Sequence, residues 1–281
     1  MARAWEERPA NRPGILIPAV ALLVALLSPA ALNAQDWLPF EEVFGEFNAC
    51  AVLLTRDRHH EDRIEYGAQQ CALPQSPCST FKIPNALIGL QEGVVSGPDH
   101  AKAWDGVVRD REETNRDQTL ASAISLSVVW YFQSLARDVG APAMQAWLDR
   151  LGYGNRDISG GIDQFWLGNS LRIDAYQQLE FLKSLSHGTL PFKPAYQSQV
   201  WQMLEQPSKL PGTLHGKTGS CRGNEGEPDH GWFIGWIDWD TKNPAKPKTT
   251  WFVVNIRGAG AWGFKARPMA LELLNHLKPG D

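Results

Sequence analysis

The chain has 281 residues, 43% of them hydrophobic and 21% charged, with a formal net charge of −4. This is an ordinary globular composition with enough apolar material for a sizeable core. The mild acidity argues against a basic nucleic-acid-binding surface, so no nucleic-acid partner is expected.

The first feature in chain order is an export signature. Arg3, Arg8 and Arg12 are positive, diluted by Glu6 and Glu7. Residues 15–27 form an apolar run broken only by Pro18, and small residues lead to Asn33-Ala34 before Gln35. That order matches a secretory signal. The run is shorter than the roughly 20 residues that span a bilayer. Residues 1–34 are therefore expected to be removed, leaving residues 35–281 as one periplasmic domain with no stable membrane association.

Residues 51–55 and 64–67 are strand-like and are separated by the polar stretch 56–63, so residues 50–67 are expected to form a hairpin. Cys50 and Cys71 then fall near its open end. An exported chain with four cysteines can bridge them. Cys78 is expected to be a small buried residue, and Cys221 fits either state. His59, His60 and Glu61 lie in a charged turn with no third ligand at a recognised spacing, so no metal is expected.

Pro74, Pro77 and Ser79 precede Phe81, Ile83, Ala86, Leu87 and Leu90, whose spacing predicts a helix ended by Gly93. Further helices are expected over 121–138, 141–151, 175–185 and 194–205. Gly152, Gly160, Gly161 and Gly168 punctuate the loops between them. After Pro211 the character changes. Residues 232–238 and 249–257 are aromatic and β-branched, and predict a second hairpin around a turn at 242–248. Residues 266–277 predict a closing amphipathic helix. Strands thus lie at both chain ends and helices between them. The expected class is α/β of the α+β type: an antiparallel sheet built from both ends, flanked by helices, with an inserted helical region at about 95–190.

Within this frame, Ser79-Thr80-Phe81-Lys82 places a lysine one helical turn from a serine. A serine needs a neighbouring base to become a nucleophile. A lysine serves only if burial lowers its pKa from about 10.4. Lys217-Thr218-Gly219 offers a cation and a hydroxyl on an edge strand, with a glycine permitting close approach. That set suits a substrate bearing a carboxylate. Ser127-Val128-Val129, in the helical region, supplies a hydroxyl able to relay a proton. Each motif alone is weak; their order carries the signal.

Together they resemble the class D β-lactamases, the oxacillinase family of penicillin-recognising serine enzymes. Ile83-Pro84-Asn85, Tyr153-Gly154-Asn155, the segment 161–167 (Gly-Ile-Asp-Gln-Phe-Trp-Leu) and the segment 231–236 (Gly-Trp-Phe-Ile-Gly-Trp) extend the resemblance over residues 40–277. It implies a β-lactamase/transpeptidase-like fold and hydrolysis of penicillin-type β-lactams, giving antibiotic resistance. Ser79 would be the nucleophile. Lys82 would take up CO2 from bicarbonate as a carbamate (N6-carboxylysine) and act as general base, with no other cofactor. Val129, Phe132, Trp166 and Leu167 would line the carbamate pocket, with the Trp166 indole N–H as a donor. Backbone N–H groups of Ser79 and Ser220 would hold the oxyanion. Ser127, helped by Lys217, would protonate the ring nitrogen. Thr218, Gly219 and Arg267 would bind the substrate, with Arg257 the competitor for the arginine role. A penicillin-sensing receptor domain, which acylates without turnover, shares these motifs. The single short apolar segment argues against it.

Overall fold

A strand buried on both faces needs apolar residues at every position, not at alternate ones. Strand β1 (Asn48–Arg56) is of this kind, as are β7 (His230–Trp239) and β8 (Lys248–Arg257). In the computed structural model these three form the middle of a six-stranded antiparallel sheet. The strand order is β2-β1-β8-β7-β6-β5, with β2 at Glu61–Tyr66, β5 at Glu205–Gln206 and β6 at Gly212–Cys221. The sheet therefore joins the two chain ends, and β1 lies directly against β8 with Val52 opposite Val253. Apart from Met1, the structure describes residues 38–58, 60–223, 228–241 and 247–279. The export signature, His59 and most of the expected turn at 242–248 lie outside these.

Side chains alternate across the sheet as the pleat requires. Val52, Leu54, Trp232, Ile234 and Trp236 face one apolar core, which holds the helical region. Ala51, Leu53, Phe233, Ile237 and Val254 face a second core, closed by helices α1 (Phe40–Phe44) and α9 (Gly263–His276). The first core takes in α3 (Lys82–Gln91), α5 (Val129–Val139), α6 (Ala141–Leu151) and α7 (Ala175–Ser186) through Ile83, Leu87, Phe132, Leu135, Leu148 and Leu182. Helix α2 (Ala68–Cys71) follows the first hairpin, and a two-stranded ribbon, β3 (Ala101–Lys102) with β4 (Gln118–Thr119), sits at the edge of the helical region. Among the described residues no helix is long and apolar enough to cross a membrane.

Several boundaries differ from expectation. The helix expected over 121–138 is two helices, α4 (Leu120–Ser125) and α5. Ser127 lies between them at φ 56°. A residue in the left-handed region cannot continue a right-handed helix, so the chain turns there. The helix expected over 194–205 ends at Met203 as α8 (Pro194–Met203), because Glu205 and Gln206 pair with His215 and Leu214 as β5. The closing helix starts at Gly263, earlier than residue 266. Only glycine fits there, since a Cβ on Gly263 would stand 2.4 Å from the Gly219 carbonyl oxygen.

The bridge between Cys50 and Cys71 is present. Cys78 is buried, but it is not an unpaired small residue: it is bonded to Cys221. The pairing is long-range, and only the docking of β6 against the chain before α3 brings the two sulfurs together.

Candidate active site

Ser79 sits in a 3₁₀ turn, Cys78–Phe81, that runs directly into α3. The turn begins with Cys78 at φ 50°, a conformation non-glycine residues rarely hold. Thr80 anchors the turn. Its Oγ1 donates to the Pro77 carbonyl at 2.7 Å and accepts from Gln178 Nε2 at 2.9 Å. The 3₁₀-to-α geometry brings Lys82 back over the nucleophile, with Nζ donating to Ser79 Oγ at 2.6 Å.

Lys82 is fully buried, as are Phe132 and Trp166. Its Nζ lies 5.7 Å from the centre of the Phe132 ring. Loss of solvation drives its pKa well below 10.5, and the positive charges of Lys217 and Arg111 push it further down. The expected pocket residues divide. Trp166 stacks on Phe81 at 5.3 Å between centroids and meets Phe165 edge-on. Leu167 packs against the same core, partly buried. Val129, the first residue of α5, is 36% exposed and does not belong to the enclosed apolar set, whereas Val128 is buried. The turn at Ser127 rotates Val128 inward.

The buried Trp166 Nε1 has no hydrogen-bond partner. A buried, unmatched donor costs about 1–3 kcal/mol. Trp166 stacks on Phe81, the neighbour of Lys82, so an acceptor built on the lysine amine would suit this donor. A carbamate on Lys82 fits these residues: a buried site, an amine with its pKa held well below the ordinary value and an unmatched N–H.

The Tyr153-Gly154-Asn155 element braces the loop carrying Trp166. Asn155 Oδ1 accepts from the Arg172 N–H at 2.9 Å, and its Nδ2 donates to the Ser170 carbonyl. Ser76 ties the same loop to the nucleophile's approach. Its Oγ donates to the Trp166 carbonyl at 2.8 Å and accepts from the Gly168 N–H.

The opposite wall is β6. Strand β5 covers only its first part, so Lys217 to Ser220 keep one open edge. Gly219 lies so near the 3₁₀ turn that a Cβ would stand 2.9 Å from the Pro77 oxygen. Lys217 is buried, and its Nζ donates to Ser127 Oγ at 2.9 Å and to the Thr218 carbonyl at 3.0 Å. Burial first, and then the charge of Arg111, lower its pKa to about 7. The structure thus brings Ser79 with Lys82, and Ser127 with Lys217, into two hydrogen-bonded pairs. The charge of Lys217 acts on Lys82, which couples the two pairs electrostatically.

Ser220 Oγ accepts from the Gly263 N–H at 2.9 Å, which locks the end of β6 onto α9. Arg267 lies on α9, where Nε donates to Gln206 Oε1 at 3.1 Å and Nη2 to the Pro207 carbonyl at 2.8 Å. Its guanidinium is held beside β5. Arg257, the competing candidate, lies instead in a small cavity with Gln75, Arg172 and Arg222.

Sequence reasoning missed Arg111. It lies between β3 and β4, and its Nη1 donates at 2.8 Å to the carbonyl of Leu126, the residue before Ser127. Nε and Nη2 both donate to Glu113 Oε1. Nothing in the local sequence distinguishes Arg111 from the nearby Arg109 and Arg116. Only the folding of this segment over the Ser127 turn does so.

The sequence pattern of the penicillin binding protein transpeptidase domain matches residues 51–274. The probable β-lactamase YbxI of Bacillus subtilis is 38% identical over 248 residues, covering 88% of this chain and 85% of that protein. The solved class D β-lactamase BAT-2 superposes with a TM-score of 0.77 at 38% identity, covering 88% of this chain and 99% of that one. The chain belongs to the class D β-lactamase family. A further class D relative, β-lactamase OXA-48 of Klebsiella pneumoniae, is 33% identical over 80% of this chain and 85% of its own length. The class D fold is the sheet-and-helix arrangement described above, which agrees with the architecture expected from the sequence.

Proposed function

We propose that this class D β-lactamase hydrolyses the β-lactam ring of penicillin-type antibiotics through an acyl-enzyme on Ser79, and so confers resistance to them. The observation that carries this reading is the 2.6 Å contact of Ser79 Oγ with Lys82 Nζ, a buried amine held well below its ordinary pKa. CO2 adds to a neutral amine with loss of one proton, and the carbamate so formed supplies a carboxylate-like proton acceptor. Phe132 and Trp166 would enclose it, and Trp166 Nε1 would donate to it.

The chain's own residues then divide the work. Ser79 Oγ gives up its proton on the Lys82 side and bonds to the lactam carbonyl carbon. Backbone N–H groups of Ser79 and Ser220 receive the developing oxyanion. As the ring C–N bond breaks, Ser127 donates its proton to the nitrogen, and Lys217 Nζ, 2.9 Å away, restores it. A lysine with a pKa near 7 both holds and releases a proton at neutral pH. Thr218 and an arginine on α9 bind the substrate carboxylate. Water, activated on the Lys82 side, releases the product. The same reading makes residues 1–34 an export signal and the periplasm the working compartment, where both disulfides persist.

The decisive assay mixes purified protein with a chromogenic cephalosporin and with a penicillin, with and without bicarbonate. Turnover stimulated by bicarbonate is the expected result. A stable acyl adduct without turnover, seen by intact-mass spectrometry, would favour the sensor function instead.

Two substitutions refine the reading. Trp166→Phe removes the waiting N–H, and is expected to lower kcat at least about tenfold, roughly the worth of one hydrogen bond to a charged group. Added bicarbonate should restore part of the loss, which a mere packing defect would not show. Arg111→Gln removes a positive charge that disfavours the protonated forms of Lys82 and Lys217. Both lysine pKa values should rise, and the acid limb of the kcat/KM profile should move to higher pH.

A further inference from the structure

Beside the Trp166 loop lies a cavity of about 50 Å³, lined by Gln75, Ser76, Arg172, Arg222, His230 and Arg257 among others. That is room for a few waters or one small polyatomic ion. Its electrostatics are one-sided. Three arginines, Arg172, Arg222 and Arg257, line it, and among the described residues no carboxylate does. Asp229, between the lining residues Pro228 and His230, accepts from the Gly223 and Gly260 N–H groups.

The polar groups of the cavity are incompletely matched. Arg172 spends its terminal nitrogens on the carbonyls of Gly168, Asn169 and Leu171. The Arg257 Nε is buried and donates to nothing. Gln75 is 5% exposed; its Nε2 donates to Asn255 Oδ1 at 2.9 Å, but its Oε1 is buried without a partner. The Asn255 Nδ2 in turn donates to the Gly231 carbonyl, which fixes the orientation of both amides. The cavity therefore presents cationic donors and one unsatisfied acceptor at once.

We infer that this cavity is a binding site for a small oxyanion that carries one proton, of the hydrogenphosphate or hydrogencarbonate type. Its anionic oxygens meet the guanidinium groups, which suit oxyanions by their planar donor geometry. Its O–H meets Gln75 Oε1. Chloride and sulfate satisfy the cations but have no proton to give. The site is separate from the nucleophile, yet Ser76 connects the two. Its side chain lies on the Trp166 loop, and its carbonyl accepts from Trp232 Nε1 at 2.9 Å.

Thermal unfolding of the purified protein tests this. Inorganic phosphate at pH 7 should raise the unfolding midpoint saturably, by about 5 °C at a hundredfold excess over its Kd. Chloride and sulfate at equal ionic strength should produce only a general salt effect. Arg257→Gln and Arg222→Gln should each remove the phosphate-specific shift; Arg222 is exposed, so its replacement does not threaten folding. Hydrogencarbonate is added to Lys82→Met, where carbamylation of that lysine cannot contribute. A shift there supports the site with the smaller oxyanion as occupant, and a shift with phosphate alone supports it with the larger. The inference is overturned if neither phosphate nor hydrogencarbonate gives a shift, if sulfate reproduces it, or if it survives in both arginine variants.

Discussion

Lys82→Met should lower kcat/KM for penicillin hydrolysis by about 10³- to 10⁴-fold, since the substitution removes the group proposed as base in both acylation and deacylation. Ser79→Ala should be at least as damaging. The double variant should be little worse than either alone, because a nucleophile and its base act as one unit. Bicarbonate should rescue none of the three. Loss of folding is not the expected cause. Lys82 is fully buried, and burial holds its pKa in the folded protein well below that of an unfolded lysine. Protons therefore favour the unfolded chain, which binds more of them. Methionine fills much the same volume without that penalty, so Lys82→Met should melt no lower than the natural protein. The sign follows from the depressed pKa. The stability gained by the substitution should be greatest below the folded-state pKa, and should fade as pH rises towards 10.5, where the unfolded lysine is also neutral. Unfolding midpoints of both proteins between pH 6 and pH 10 would check this, and a midpoint that falls by several degrees at pH 7 would contradict it.

Removing the Cys78–Cys221 bridge should carry the second-largest effect, on stability and activity together. It closes a separation of 143 residues, against 21 for Cys50–Cys71. On loop-closure entropy alone the longer bridge is worth about 5 kcal/mol and the shorter about 3. Their positions differ as well. Cys78 precedes Ser79 and Cys221 follows Ser220, so the long bridge joins the two segments that would furnish the oxyanion N–H groups in the proposed mechanism. It also holds Cys78 at φ 50°, a conformation that costs of order 1–3 kcal/mol unless the surroundings impose it. The pair of changes Cys78→Ala and Cys221→Ala should therefore lower the midpoint of denaturant unfolding most, and should lower kcat at temperatures where the variant remains folded. The pair Cys50→Ala and Cys71→Ala should cost stability while leaving kcat near its natural value, since β8 and β7 separate β1 and that bridge from the site on β6.

The outcomes of the sequence reading follow from what kind of interaction sets each feature. Helix α6 runs over Ala141–Leu151, as expected from its apolar spacing, and α7 differs by one residue at its end. Both are governed by local periodicity. The helix expected over 121–138 failed at Ser127, because its spacing is helical on both sides and only the contact with Lys217 accounts for a left-handed serine between them. Arg111 was missed for a related reason. Its partners are the Leu126 carbonyl and the fields at two buried lysines, none of which is a neighbour in sequence. Val129 was expected in the apolar pocket, and the turn at Ser127 exposes it in favour of Val128.

Taken by itself, the sequence determined the pieces: Ser79 one helical turn from Lys82, a strand bearing Lys217-Thr218-Gly219, a loop bearing Trp166, and two sets of strands from opposite chain ends. These depend on contacts within a few residues, which composition and spacing express directly. Tertiary structure alone decided how the pieces meet. It buried Lys82 and so moved its pKa, set Lys217 on Ser127, paired Cys78 with Cys221, and left Trp166 Nε1 without a partner in the same enclosure. The physical reason is that burial and electrostatic coupling belong to surroundings drawn from the whole chain, and no local pattern records them.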